Sequence, residues 1–229
     1  MRQGRVDWNV SRRREFAAKG DTRRMTWGKR TFDLVLLAIL STVFVPVALI
    51  VAGMLWRREG RPILYISERM KTPDQAFGLW KFRTMTVEGD DGGVSGGHKQ
   101  GRVTPFGAKL RRSRMDELPQ LWNVLRGDIS FVGPRPPLRS MVERYPEVYA
   151  EVLKSRPGIT GLASVVFHSH EEWLLRDCKT PEETDAVYTR RCVPRKAMLD
   201  LIYQKKRSFA LDWWLIWWTA ARAFGYHRR

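Results

Sequence analysis

Twenty-three consecutive residues without a charge, 34–56, decide what this 229-residue chain can become. A membrane span needs about 20 apolar residues, so length alone admits a simple transmembrane helix. Pro46 stands in the middle, where a proline removes a backbone hydrogen bond and kinks a helix. It divides the run into arms 34–45 and 47–56, roughly 18 and 15 Å long at about 1.5 Å per residue. Each arm is about half the ~30 Å hydrocarbon core. Arg23, Arg24, Lys29 and Arg30 precede the run, and Arg57, Arg58 and Arg61 follow it. Positive charge on both flanks favours keeping both ends in the cytoplasm. The expectation is a re-entrant helix hinged at Pro46, entering one leaflet and leaving by the same face. Ser41 and Thr42, within one turn of the proline, are candidate partners for the freed backbone groups.

Charge narrows the partners. Lys and Arg number 41 against 24 Asp and Glu, a formal charge of +17. Such a balance asks for an anionic partner: nucleic acid, a phosphorylated ligand or an anionic membrane face. Residues 1–30 carry ten basic residues against Asp7, Glu15 and Asp21, with no apolar core of a secretory signal. They read as a basic arm beside the membrane. Cys178 and Cys192 form no metal or redox motif, and His168 and His170 lack the further ligands of a zinc site.

The chemistry concentrates in residues 111–136, RRSRMDELPQLWNVLRGDISFVGPRP. Leu118, Leu121, Trp122 and Leu125 fall on one face of a short helix, predicted to be its apolar side. Asp116 stands where an N-cap belongs, Pro119 is tolerable in a first turn, and Gly127 is placed to end the helix. Asp116 and Glu117 therefore sit at the positive end of a helix dipole, which favours their charged forms. Arg111, Arg112 and Arg114 crowd the same spot, and Arg135 follows. Ionised carboxylates among arginines suit a metal ion and a phosphorylated substrate. A bare Asp-Glu pair is more often a capped, salt-bridged helix start, but the string as a whole is specific.

This string closely resembles the signature of the bacterial sugar transferases that are monotopic polyprenyl-phosphate phosphoglycosyl transferases. Four other stretches carry the resemblance further: Lys29-Arg30-x-x-Asp33, the run Lys81-Phe82-Arg83-Thr84-Met85, Arg156 with the Pro-Gly-Ile-Thr-Gly that follows, and Tyr203 with Ser208, Phe209 and Asp212. Together they cover roughly residues 28–224. The chain departs from the pattern at Val45, where the family has a serine before the hinge proline. It departs again after Gly161, where it reads Leu-Ala-Ser-Val-Val-Phe-His and then an acidic segment, 171–185. The second departure leaves the choice of sugar open.

The resemblance implies transfer of a phosphosugar from a nucleotide-diphosphate sugar, such as a UDP-sugar, to polyprenyl phosphate, with release of a nucleoside monophosphate. That is a first membrane step in exopolysaccharide or lipopolysaccharide assembly. It implies Asp116 as nucleophile and metal ligand, Glu117 as its catalytic partner, and Mg²⁺ as cofactor. Lys81, Arg83, Arg111, Arg135 and Arg156 become candidate phosphate-binding residues. The setting implied is the cytoplasmic face of the bacterial inner membrane, with an anionic bilayer as partner and a homodimer left open.

The remaining chain fixes the expected architecture. Residues 62–67 and 77–83 read as two strands of a hairpin. Six glycines in residues 89–101 lack the lysine and hydroxyl ending of a phosphate loop and read as a surface loop. Residues 141–154 read as a helix, 162–167 as a β-tending run, and 196–224 as one amphipathic helix or two. Trp213, Trp214, Trp217 and Trp218 behind Lys205, Lys206 and Arg207 suit a helix lying in a membrane interface. The fold class expected is α+β, mainly helical, with a small β-hairpin, one N-terminal re-entrant membrane helix and interfacial amphipathic helices. Its parts are a basic arm at 1–30, the membrane helix at 31–57 and a catalytic domain at 58–229. A membrane-anchored basic adaptor explains charge and anchor equally well, but leaves the Asp-Glu dyad unexplained and lacks a nucleic-acid motif.

Overall fold

The computed structural model describes residues 27–86 and 102–223, so residues 1–26 of the basic arm and the glycine-rich stretch 89–101 lie outside the described residues. Helix α1, Trp27–Glu59, has 33 residues, or about 50 Å at ~1.5 Å per residue. Among the described residues it is the one helix long and apolar enough to cross a membrane. The helix continues through Pro46, so the expected break is not a gap in helical structure. Thr42, one turn earlier, turns its hydroxyl onto the Ile39 carbonyl at 2.7 Å.

Both ends of α1 are buried and its middle is not. Lys29, Asp33, Leu36 and Leu37 are buried near the start, and Val51 and Leu55 near the end. Val35, Ile39, Val43, Leu49 and Ile50 between them are more than half exposed. Leu36 and Leu37 join a core with Leu79, Val124, Ile129, Tyr203 and Leu215. Val51 and Leu55 join a second core with Phe82 and Leu110. One globular body therefore holds both ends.

A buried polar network fixes the first turns of α1. The Lys29 ammonium meets the Asp212 carboxylate at 2.7 Å and Asp33 at 3.5 Å. The Tyr203 hydroxyl donates to the other Asp212 oxygen at 2.6 Å and lies 3.2 Å from the Val132 carbonyl. Asp33 accepts from the Ser130 hydroxyl at 3.0 Å. The motifs at the two ends of the sequence, Lys29 with Asp33 and Tyr203 with Asp212, thus close on each other.

Strands β1, Leu64–Met70, and β2, Ala76–Phe82, form the expected antiparallel hairpin, with Leu64 opposite Phe82 and Met70 opposite Ala76. Helix α2, Pro105–Arg112, starts on a Thr104 cap and leads into a 3₁₀ turn, Met115–Glu117. Helix α3, Gln120–Arg126, follows and ends at Gly127, whose φ of 77° is the left-handed geometry glycine adopts without cost. Strand β3, Ser130–Val132, pairs in parallel with β4, Gly158–Thr160. A Cβ at Gly133 or Gly158 would strike the backbone of the opposite segment, so glycine is what lets these strands meet.

Two sequence expectations change, and the open choice at the C-terminus resolves to two helices. The helix over 141–154 is two, α4 at Arg139–Arg144 and α5 at Pro146–Val152. Pro146 starts the second and biases Tyr145 away from helical geometry. The β-tending run at 162–167 is a short helix, α6 at Leu162–Val166, because the strand role falls to the residues just before it. The acidic segment builds α7, His168–Leu175, and α8, Pro181–Val187. The C-terminal helix is two, α9 at Val193–Lys206 and α10 at Phe209–Ala223. Ser208 starts the second, accepting from the Leu211 amide at 3.2 Å.

Lys29→Met tests the network. It leaves two carboxylates buried without their cation, which costs about 3–5 kcal/mol when one member of a buried pair is removed. Denaturant titration in detergent should show a loss of that size. A loss under about 1 kcal/mol, the worth of an exposed pair, would remove the network from this role.

Candidate active site

The dyad reaches its place through an asparagine. Asn123 is fully buried on the inner face of α3. Its amide donates to the Gly78 carbonyl at 2.8 Å and accepts from the Trp80 amide at 3.0 Å, covering the free edge of β2. That contact turns α3 so that Gln120, Asn123 and Val124 face inward. Trp122 and Leu125, predicted for the buried face, are instead 48% and 49% exposed. From the membrane helix, Arg30 donates to the carbonyls of Val124 and Leu125 at 2.6 and 2.7 Å, capping the C-terminal end of α3.

Asp116 is not the N-cap of α3, which is Pro119. It lies in the preceding 3₁₀ turn, after Arg114 at φ 56°. A non-glycine residue held left-handed stores backbone strain, and here it adjoins the dyad. The two carboxylates differ in company. Glu117 faces the Lys81 ammonium at 3.3 Å, with Arg114 and Arg135 each at 3.9 Å. Asp116 is buried at 8% exposure and makes no ion pair within 4 Å among the described residues. Burial pushes the Glu117 carboxyl up, but Arg135, Lys81 and Arg114 outweigh it and hold the group below its usual value. Burial and the Glu117 charge push Asp116 up, against Lys81, Arg111 and Arg114. The helix dipole expected to favour both charged forms is thus outweighed at Asp116, where desolvation and a like charge dominate.

Of the basic candidates, Lys81 and Arg135 meet the dyad, and Arg111 is close enough to act on Asp116 while its Nε donates to the Thr84 hydroxyl at 2.8 Å. Arg83 does not join them. Its guanidinium donates to the carbonyls of Glu59 and Gly60 at 2.6 and 3.1 Å, closing the end of α1. Arg156 stands beside Arg30 at Gly127, the opposite end of α3 from the dyad. Pro46 lies in the exposed middle of α1.

An open cleft of about 1310 Å³ leads away from the dyad, with Arg114 and Arg135 on its wall. Arg69, from the end of β1, stands on the same wall. Burial and the Arg135 charge pull its guanidinium down to about 10. Arg69, unlike Arg135, has no carboxylate partner among the described residues, and a diphosphate would supply the anion it lacks. Arg69 escaped the sequence reading because a lone arginine in a strand gives no local signal. For a divalent cation, the described residues offer no group of three or more His, Cys, Asp or Glu. The Asp116 and Glu117 carboxylates still fit Mg²⁺, which is commonly held by one or two carboxylates plus substrate phosphate and water.

A profile of the bacterial sugar transferase family matches residues 24–225. The chain belongs to the bacterial sugar transferase family. It is 32% identical over 200 residues to a UDP-glucose:undecaprenyl-phosphate glucose-1-phosphate transferase of Klebsiella pneumoniae, covering 86% of this chain and 40% of that protein. A protein of the same name from Caulobacter vibrioides is 40% identical over 142 residues, 60% of this chain and 53% of its own. A UDP-N-acetylgalactosamine-undecaprenyl-phosphate N-acetylgalactosaminephosphotransferase of Aeromonas hydrophila is 33% identical over 144 residues, 60% of this chain and 34% of its own. The chain thus spans about half or less of the length of these relatives.

Arg83 and Arg69 should separate under substitution. Arg83→Ala leaves buried carbonyls unpaired and should cost about 1–3 kcal/mol of stability. It should leave the affinity of the cleft for inorganic pyrophosphate unchanged. Arg69→Ala should weaken pyrophosphate binding roughly tenfold or more, the worth of a charge-assisted hydrogen bond. Equal effects of the two on calorimetric titration would undo the distinction.

Proposed function

We propose that this chain transfers a phosphosugar from a nucleotide-diphosphate sugar to polyprenyl phosphate, through a phosphosugar-enzyme formed on Asp116. The observation that carries the reading is the division of labour in the dyad. Glu117 takes the cations, Asp116 stays buried and unpaired next to it, and two of the arginines around Glu117, Arg114 and Arg135, stand on the wall of the cleft. The relatives named above carry UDP-sugar donors and undecaprenyl phosphate in their names, which supports the same chemistry here. The adaptor alternative finds no support among them.

In this mechanism Arg69 and Arg135 bind the diphosphate, and Lys81 and Arg114 add positive charge where the phosphoryl oxygens develop theirs. An Asp116 oxygen attacks the sugar-linked phosphorus, and the bond from that phosphorus to the nucleoside monophosphate breaks. A phosphate oxygen of the polyprenyl acceptor then attacks the same phosphorus. The acyl-phosphate bond breaks, Asp116 is restored and a polyprenyl diphosphate sugar leaves. Glu117 holds Lys81, Arg114 and Arg135 in place. Mg²⁺, held through Asp116 and the substrate phosphates, would neutralise charge on the reacting phosphoryl group.

The same proposal places the site at a membrane face. A polyprenyl phosphate presents its head group at the interface, so its partner must sit there too. The docked ends and bare middle of α1 suit a helix bent at Pro46 that dips into one leaflet from the cytoplasmic side. Trp213, Trp214 and Trp217 on α10 and Trp122 and Leu125 on α3 are exposed aromatic and aliphatic groups that would rest in the head-group layer.

Given UDP-glucose or UDP-N-acetylgalactosamine and Mg²⁺ alone, the accepted donor should release UMP stoichiometrically and leave a phosphosugar mass on the Asp116 peptide. Asp116→Asn should fold, insert and lose turnover. Full turnover in that variant, or mass on another residue, would sink the assignment. UMP release that strictly requires polyprenyl phosphate would favour direct displacement. Protonation removes the nucleophile, so kcat/KM should fall with acid at a pH above the ordinary aspartate range. Glu117→Gln should move that limb to lower pH, because the neighbouring negative charge is gone.

Topology has its own check. Trp27→Cys and Arg58→Cys, both exposed positions, should label from the cytoplasmic side alone in a chain lacking Cys178 and Cys192. Labelling of either from outside would exclude the re-entrant arrangement.

A further inference from the structure

The cleft beside the dyad does not end at its arginines. Neighbouring side chains lead inward in steps. Arg135 acts on both Glu117 and Arg69. Arg69 is next within reach of Tyr188, and Tyr188 of both Lys196 and Tyr149. Asp200 on α9 completes the series, close to Lys196 and to Tyr149. Arg69, Arg135, Tyr149, Tyr188, Lys196 and Asp200 all line this one cleft.

Asp200 is the unusual member. It is only 8% exposed, and what remains open faces the cleft. It has no hydrogen bond and no ion pair within 4 Å among the described residues. Lys196, the cation nearest to hand, is held elsewhere: its ammonium lies 3.0 Å from Glu171 and 3.2 Å from the Tyr188 hydroxyl. Unlike the sealed Asp33 Oδ2, the Asp200 carboxyl oxygens are open to whatever occupies the cleft, and a largely buried carboxyl gains from donors brought to it. Burial pushes this one up to about 7, the opposing charge of Lys196 notwithstanding. Asp200 therefore lacks donors that something entering the cleft can bring. A cationic ligand is disfavoured by Arg69, Arg135 and Lys196 around it. A neutral ring bearing several hydroxyls, tethered to a diphosphate, meets both demands.

We propose that Asp200 is a binding residue for a hydroxyl-bearing ring of the donor nucleotide sugar, accepting hydrogen bonds from that ring while Arg69 and Arg135 hold its diphosphate. This rests on the function proposed above and adds the end of the cleft at which the donor is read. The ring is either the transferred sugar or the ribose, which offer the same chemistry. Glu171, which holds Lys196, comes from the acidic segment 171–185 where the sequence departs from the pattern it otherwise resembles, so the subsite wall is partly this chain's own. A site built to satisfy specific hydroxyls rejects a ligand lacking them far better than an apolar pocket does.

The test is titration of the full chain in detergent with UDP, UDP-glucose and UDP-N-acetylgalactosamine. Asp200→Asn keeps the shape and one acceptor but loses the charge-assisted bonds. It should weaken the accepted UDP-sugar roughly ten- to hundredfold. Weakening of the UDP-sugar with UDP unchanged assigns the ring to the sugar. Equal weakening of both assigns it to the ribose. Unchanged affinity for all three overturns the Asp200 assignment and leaves the proposed function standing. A wild-type chain that binds none of them overturns both.

Folding of the variant is checked by its melting temperature. The raised carboxyl opposes folding as pH rises from the unfolded aspartate range through about 7. Asp200→Asn should therefore melt no lower than wild type at pH 8. A readout on the wild type alone needs no variant. Carbodiimide with glycine methyl ester should modify Asp200 in the empty protein, and saturating UDP-sugar should protect it. Modification that the bound ligand does not reduce also overturns the assignment.

Discussion

The structure hangs on one buried cation. Lys29 sits between Asp33 and Asp212, residues from opposite ends of the chain, and no water reaches any of the three freely. Removing charges from water costs several kcal/mol each, so such a cluster persists only when its geometry and surrounding hydrogen bonds are good. Tyr203 and Ser130 supply those bonds. The result is directional. Apolar packing alone would let a long greasy helix slide or rotate on the domain. A lysine that must find two carboxylates sets α1 in one register, and Arg30, one residue on, then falls onto the carbonyl end of α3.

From that anchor the site follows by contact. Arg30 fixes one end of α3, and Asn123 fixes its rotation against β2. The 3₁₀ turn before α3 is then presented to Lys81 on the same strand. Two adjacent carboxylates receive opposite treatment there. One is surrounded by three cations and lies below its usual pKa, while its neighbour is buried beside that charge and lies above. Pairs pushed apart in this way are how a site assigns different roles to identical groups. In the proposed function the paired carboxylate is the scaffold and the unpaired one the reagent.

The outward face of α3 has a second consequence. Trp122 and Leu125 are half exposed on the helix that follows the dyad, and the bare stretch of α1 and the tryptophans of α10 are exposed as well. Exposed apolar groups on this scale mark a surface made for something other than water. Helix α1, the turn that carries the dyad and the C-terminal helix belong to one body, so under the proposed function whatever holds these exposed groups to a lipid surface would also set the height of Asp116.

The sequence by itself determined the parts that local rules govern. The hairpin was legible from two β-rich runs around a Pro-Asp turn, and the end of α3 from Gly127. Asp116, Glu117, Lys81, Arg111 and Arg135 could be singled out from the sequence because they stand in long, unusual strings, and the structure brings them together. Tertiary structure decided what no short window encodes. It rotated α3 so that Leu118 and Leu121 of the predicted stripe pack against the cores while Trp122 and Leu125 face out, because a β-strand edge needed the Asn123 amide more than the core needed Trp122. It took Arg83 for the carbonyls ending α1 and Arg156 for the far end of α3, because an arginine's role is set by which acceptors lie within reach. It brought Arg69 and Asp200, 131 positions apart in the chain, into one cleft. Burial raised one carboxylate of the dyad above its neighbour, and burial is a property of the packed whole.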